Sequence, residues 1–161
     1  MIKVGIIGAT GYTGAELVRL LSLHPRVELV ALTSRTYGGE KIAEVYPALS
    51  GYSELICENL PPEELLERAE VVFIALPHGH AAPLAARALE RGVKVIDLGA
   101  DLRFREVKTY ESWYKVKHGA PELAASAVYG LPELNREAIR RAKVVANPGC
   151  YPTSAILGLA P

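Results

Sequence analysis

The feature that most constrains this 161-residue chain is the alternation of short, β-branched apolar runs with longer amphipathic stretches. The runs Ile2–Ile7, Val27–Ser34, Val71–Leu76, Val93–Ala100 and Lys143–Ala146 are nearly continuous in apolar residues. A half-solvated strand alternates apolar with polar, whereas a continuous run marks a strand buried on both faces, as in a parallel sheet covered by crossover helices. The intervening stretches Gly14–His24, Pro61–Ala69, the residues after His80 up to a stop at Gly92, and Asn135–Ala142 read as those helices. Residues 54–57 (ELIC) read as one further brief strand. The expected fold is α/β: a Rossmann-like, doubly wound, mostly parallel sheet with helices on both faces. Residues 35–53 are punctuated by Gly, Tyr and Pro and read as a long connection with at most a short helix. Residues 103–134 read as a less regular excursion with a short helix from Glu106 to Lys115.

Composition narrows the partners. Eighteen basic and eighteen acidic side chains balance, which removes the bulk attraction to nucleic acid or to an anionic membrane and leaves a small molecule as the expected ligand. The N-terminus has neither the apolar length of a signal peptide nor that of a membrane span, so a cytoplasmic location is expected. Cys57 and Cys150 lie far apart in sequence and form no disulfide framework or metal cluster, so no metal is expected and a reducing compartment keeps both as thiols.

Between the first strand and the first helix stands GATGYTG, with Gly8, Gly11 and Gly14. Glycines in this setting let the backbone approach a pyrophosphate at a helix N-terminus, although Thr10 occupies the place of the usual second glycine. The second strand ends in Ser34 and Arg35, with no acid to bind free ribose hydroxyls; Glu28 lies at the other end of the strand. An arginine there suits a 2′-phosphate, which favours NADP(H) over NAD.

The last apolar strand runs into Asn147-Pro148-Gly149-Cys150, followed by Tyr151-Pro152 and a helical run. The thiol then sits at the positive end of a helix, beside unpaired backbone N–H groups, a setting that stabilises thiolate. Cys57 reads instead as a buried, inert cysteine. A nucleophilic thiol on a nicotinamide-binding fold suggests attack on an activated acyl group and hydride reduction of the resulting thioester, with backbone N–H groups holding the oxyanion.

GIIGATGYTGAEL, ALPHGHAA, IDLGADLRF, YGLPELNREAI and ANPGCYPTSA, in that order, resemble the N-acetyl-gamma-glutamyl-phosphate reductase family over the whole of residues 1–161. The resemblance implies NADPH-dependent reduction of N-acetylglutamyl phosphate to the semialdehyde in arginine biosynthesis, with Cys150 as nucleophile and phosphate expelled. It places Thr10, Gly11, Tyr12, Thr13 and Gly14 at the cofactor phosphates and Ser34 and Arg35 at the ribose phosphate. Leu76, Pro77 and His78 fall along the cofactor, and Arg103 and Asn147, with Asp101, become candidates to position substrate. Arg103 could equally make an ion pair near Asp101. Residues 1–147 correspond to the family's NADP-binding domain and 148–161 to the start of its catalytic and dimerisation domain. The family's acid/base histidine and homo-oligomer surface belong to the rest of that domain, so the chain is expected to be an N-terminal fragment, inactive alone. His78 and His80 read as loop histidines rather than proton carriers, and His24 and His118 likewise. Alternatives are a related acyl-phosphate reductase of lysine biosynthesis and a non-catalytic NADP-sensing module. Aspartate-semialdehyde dehydrogenase is another relative, with different residues around its cysteine.

Overall fold

The structure, a computed structural model, describes residues 1–160. β1 (Ile2–Ile7) leads through the glycine loop into α1 (Tyr12–Ser22), which returns to β2 (Val27–Thr33). The long connection carries α2 (Ile42–Val45) and a 3-10 turn at Pro47–Leu49 before β3 (Cys57–Glu58). Next come α3 (Pro62–Arg68), β4 (Val71–Ile74), α4 (Ala81–Glu90) and β5 (Lys94–Asp97). The second half continues with α5 (Val107–Tyr114), α6 (Pro121–Ser126), β6 (Val128–Tyr129), α7 (Pro132–Arg141), β7 (Val144–Ala146) and α8 (Cys150–Leu159).

The strands pair in the order β3-β2-β1-β4-β5-β7-β6, every ladder parallel. The chain therefore winds outward from β1 in both directions, and the reversal falls between β1 and β4. In open parallel sheets a crevice opens at that point, beyond the carboxyl ends of the strands.

The apolar runs are continuous because successive residues feed different cores. Ile6, Leu32 and Phe73 pack with Val18 of α1 and Ile42 of α2 on one face. Their neighbours Ile7, Ala31, Val72 and Ile74 pack with Leu65, Leu66, Ala85 and Ala88 of α3 and α4 on the other. Burying a side chain such as Ile6 or Leu32 contributes about 1.5–3 kcal/mol, so both faces demand apolar residues. No described helix is long and apolar enough to cross a membrane.

Several boundaries differ from the sequence expectation, and each has a local cause. α1 starts at Tyr12 rather than Gly14, with Gly11 as its extended N-cap, and closes at Ser22 ahead of Pro25. β4 ends at Ile74 rather than Leu76; Ala75 still donates to Ile7, but Pro77 has no N–H to continue the ladder. β5 stops at Asp97 rather than Ala100, since the Asp97 carboxylate accepts from Gly99 N at 2.7 Å and bends the chain out of the sheet. The strand expected at residues 54–57 is Cys57–Glu58. Within the excursion, α6 and β6 form without a matching sequence signal: β6 has two residues and is recruited by β7.

Gly14 fixes how closely α1 approaches β1. A Cβ there would collide with the Gly8 carbonyl and lie 2.7 Å from Ala9 Cα, both backbone atoms unable to rotate away. Gly14→Ala is expected to cost about 1–3 kcal/mol, the range for forced overpacking, measured as a lower urea midpoint at unchanged slope.

Candidate cofactor and thiol site

A cavity of about 860 Å³ opens at the carboxyl edge over the β1/β4 reversal. Gly8, Thr10, Ser34, Arg35, Leu76 and Pro77 line it, with contributions from Asn59, His80 and Arg87 that the sequence had not signalled. Of the other expected cofactor residues, Gly11, Tyr12, Thr13, Gly14 and His78 are not in its lining. Gly11, Tyr12 and Thr13 lie exposed at the open start of α1, and Gly14 is buried beneath them.

The glycine loop is held from behind. Tyr46 Oη donates to the Thr10 carbonyl at 2.7 Å, and the Thr10 and Ser34 hydroxyls lie 2.8 Å apart. Ser34 Oγ also accepts from Tyr37 N. Tyr46 comes from the long connection after β2, whose sequence carried no sign of this role. With the carbonyl side occupied, the amides of Tyr12, Thr13 and Gly14 make no hydrogen bond among the described residues. α1 has no side-chain cap and no acid in its first turn, so its positive end remains available to an anion. An added Cβ at Gly11 would meet only the Gly8 carbonyl, at 3.6 Å, so the approach to those amides is open. These residues fit the phosphates of a dinucleotide.

Two arginines line the same cavity in different states. Arg87 of α4 pairs with Glu63 of α3. Arg35 is exposed at the end of β2 and makes no ion pair among the described residues.

On the far side of β5, Cys150 is the first residue of α8 and is exposed, whereas Cys57 is fully buried in β3. Burial, and then Glu40, pushes the Cys57 thiol up. Thr153 N and Oγ1 both donate to the Gly149 carbonyl and close the first turn of α8. Asn147 N donates to the Asp97 carbonyl, and the Asn147 side-chain amide donates within its own turn to Pro148 O at 3.2 Å. Arg103 Nε donates to the Asn147 carbonyl at 2.8 Å and its Nη2 to the Leu98 carbonyl at 2.9 Å. The anticipated ion pair near Asp101 is not formed, because these carbonyls take the guanidinium.

Asp101 is 1% exposed, and its carboxylate accepts from Gly79 N, Ala81 N, Ala82 N and Tyr110 Oη. That saturated, inward-facing carboxylate corrects its reading as a substrate-positioning group. His118, expected in a loop, is buried. Its Nδ1 accepts from Ala120 N, which assigns the proton to Nε2, donating to the Asp101 carbonyl at 2.6 Å. His78 is exposed and its ring lies 5.1 Å from that of Tyr114. His24 accepts from Arg26 N on an exposed turn.

A phosphate-ready helix end at the reversal of a parallel sheet, with a helix-start thiol at the same edge across β5, defines a Rossmann-type nicotinamide-cofactor domain. Residues 3–142 match the model described as semialdehyde dehydrogenase, NAD binding domain, and the chain belongs to that family. It is 75% identical over 161 residues to a protein of Moorella thermoacetica named N-acetyl-gamma-glutamyl-phosphate reductase, covering 100% of this chain and 46% of that protein. A protein of the same name from Saccharophagus degradans is 52% identical, with the same coverage. The chain thus spans about half the length of these curated relatives. Among solved structures, aspartate semialdehyde dehydrogenase II of Vibrio cholerae shares the fold with TM-score 0.71 at 22% identity, covering 99% of this chain and 45% of that one. The Candida albicans aspartate semialdehyde dehydrogenase solved with NADP does so with TM-score 0.63 at 18% identity, covering 99% and 46%.

Between the cavity and the thiol lies Asp97, 0% exposed, with Oδ1 bonded to Gly99 N and Oδ2 lacking any partner among the described residues. Burial pushes its carboxyl up to about 6, against the opposing pull of the Gly99 amide and with a further push from Asp101. Protonated Asp97 favours the folded state below the unfolded value near 3.8, and that contribution is lost as pH rises through about 6. The loss is on the order of 3 kcal/mol. Asp97→Asn is expected to remove this downward slope in unfolding free energy between pH 4 and 6, measured by urea titration across that range.

Proposed function

We propose that this chain is the cofactor-binding part of an NADPH-dependent N-acetyl-gamma-glutamyl-phosphate reductase, with Cys150 as its nucleophile. The observation that carries the reading is an exposed cysteine opening α8 at the same sheet edge as the cofactor cavity. The likeness to the Moorella protein supports the substrate. Residues 1–147 form the cofactor part and residues 148–161 lead into the substrate part.

The free amides at the start of α1 hold the pyrophosphate, and Arg35 pairs with the 2′-phosphate of the adenosine ribose. NADPH, when bound, supplies the hydride. The nucleophile is the Cys150 thiolate, at the first position of α8. It attacks the acyl carbon of N-acetylglutamyl phosphate; a C–S bond forms, the C–O bond to phosphate breaks, and inorganic phosphate leaves. The amides of Cys150 and Tyr151, which have no partner among the described residues, donate to the oxygen that gains charge. After reduction of the thioester the C–S bond breaks, releasing the semialdehyde and returning the thiolate. Asn147 and the free Nη1 of Arg103 contact the substrate in this reading.

The chain is expected to bind NADPH at least tenfold more tightly than NADH, as one charge-assisted contact contributes about 1.5–3 kcal/mol. Arg35→Ala should remove most of that difference in a fluorescence titration; equal dissociation constants in the unsubstituted chain would refute the assignment. In the full-length gene product, NADPH oxidation should depend on N-acetylglutamyl phosphate and vanish in Cys150→Ser. NADPH binding without any acyl-phosphate-dependent oxidation would favour a sensor module instead.

A further inference from the structure

Residues Ala100 to Arg103 form one short turn, closed by Arg103 N donating to the Ala100 carbonyl at 3.3 Å. Two side chains of this turn, Asp101 and Arg103, reach in different directions. The Asp101 carboxylate fastens the loop after β4: Oδ1 takes the Gly79 amide at 2.7 Å, and Oδ2 takes those of Ala81 and Ala82 at 2.9 and 3.1 Å. α4 has no side-chain cap of its own at His80, so a carboxylate from another part of the chain satisfies its first-turn donors. The consequence for the cavity is specific. The start of α4 is already neutralised and its amides are consumed, which leaves the start of α1, just after the lining residues Gly8 and Thr10, as the helix end open to an anion. Arg103 fastens the cysteine turn through Nε, which donates to the Asn147 carbonyl, while its Nη2 donates to the Leu98 carbonyl after β5. The turn itself is anchored from below. Tyr110 Oη donates to Asp101 Oδ1 at 2.9 Å, and His118 Nε2 to the Asp101 carbonyl. The Tyr110 ring is wholly buried, stacked on Tyr114 and edge-on to His118.

We propose that the Ala100–Arg103 turn is the element that sets the cofactor loop and the cysteine turn in register, with Asp101 the positioning residue for the first and Arg103 for the second. The proposal rests on the reductase reading, in which those two loops carry the hydride donor and the nucleophile. Neither residue needs to touch the reacting atoms. Asp101 acts through the Gly79 and Ala81 amides on a loop whose Leu76, Pro77 and His80 line the cavity; Arg103 acts through the Asn147 carbonyl on the turn that leads into Cys150.

The test measures NADPH affinity by fluorescence and alkylation of Cys150 by iodoacetamide at pH 7, with buried Cys57 as the reporter of an intact sheet. Asp101→Asn keeps size but cannot accept from every donor; it is expected to weaken NADPH binding at least fivefold and to leave Cys150 labelling within twofold. Arg103→Lys keeps the charge but cannot hold two carbonyls. It is expected to slow Cys150 labelling at least threefold and to leave NADPH affinity within twofold. A general loss of stability would move both readouts together, so this crossed pattern separates positioning from folding. The proposal is overturned if either substitution leaves its own readout unchanged, or if both readouts move together while Cys57 stays protected. Labelling of Cys57 in Arg103→Lys would make the arginine a folding residue and overturn its part. Should Asp101→Asn unfold the sheet, Tyr110→Phe decides: it removes one donor to the same carboxylate and should weaken NADPH binding about threefold, and no change overturns the assignment. Failure of the unsubstituted chain to bind NADPH refutes the underlying reading, and the inference with it, before any variant is compared.

Discussion

The approach of α1 to the end of β1 is the contact on which the site depends. The Gly8 carbonyl and the Ala9 backbone lie so near position 14 that a methyl group has no room there. That proximity directs the first-turn amides of α1 toward the carboxyl edge of the sheet, beside the β1/β4 reversal. Tyr46 and Ser34 then occupy the inner side of the loop at Thr10. The first-turn amides have no partner among the described residues and are open to an anion.

The carboxyl edge also shows how one kind of side chain takes different roles from its surroundings. Asp97, the last residue of β5, and Asp101, in the turn that follows, are both buried. Asp101 meets three backbone amides and a tyrosine hydroxyl, so its oxygens are hydrogen-bonded despite burial. Asp97 meets the Gly99 amide and has an oxygen without a partner among the described residues, so burial dominates and the proton is retained to about 6. Asp101 binds elements together; Asp97 carries an energetic penalty at neutral pH that the packed sheet around it offsets. The two cysteines divide in the same way, Cys57 enclosed in β3 and Cys150 exposed where a helix begins.

Much of this architecture was legible in the sequence, because local chemistry alone determines it. Continuous β-branched runs identified the buried strands, for neighbouring residues on each strand feed opposite cores. Glycines between a strand and a helix located the phosphate-ready loop, and Asn-Pro-Gly before Cys150 placed that thiol at a helix start. The ends of β4 and β5 could not be read in this way. Ala75 and Leu98 remain hydrogen-bonded to neighbouring strands, and the chain leaves the sheet only where Pro77 or the Asp97 carboxylate intervenes. The two-residue strand β6 exists because β7 is beside it.

What tertiary structure decided is the partner of each polar side chain. Tyr46 lies 36 residues from Thr10, Asp101 lies 22 from Gly79, and Arg103 lies 44 from Asn147. No local pattern distinguishes such a residue from a solvated one, since its role depends on which orphaned backbone group folding brings within hydrogen-bond reach. The sequence by itself determined the sheet, the glycine loop and the placement of the thiol, all set by burial and backbone geometry over a few neighbouring residues. Only the folded chain decided that Asp101 turns inward to cap α4 and that Arg103 grips the cysteine turn, because those donors and acceptors become neighbours through the sheet and not along the chain.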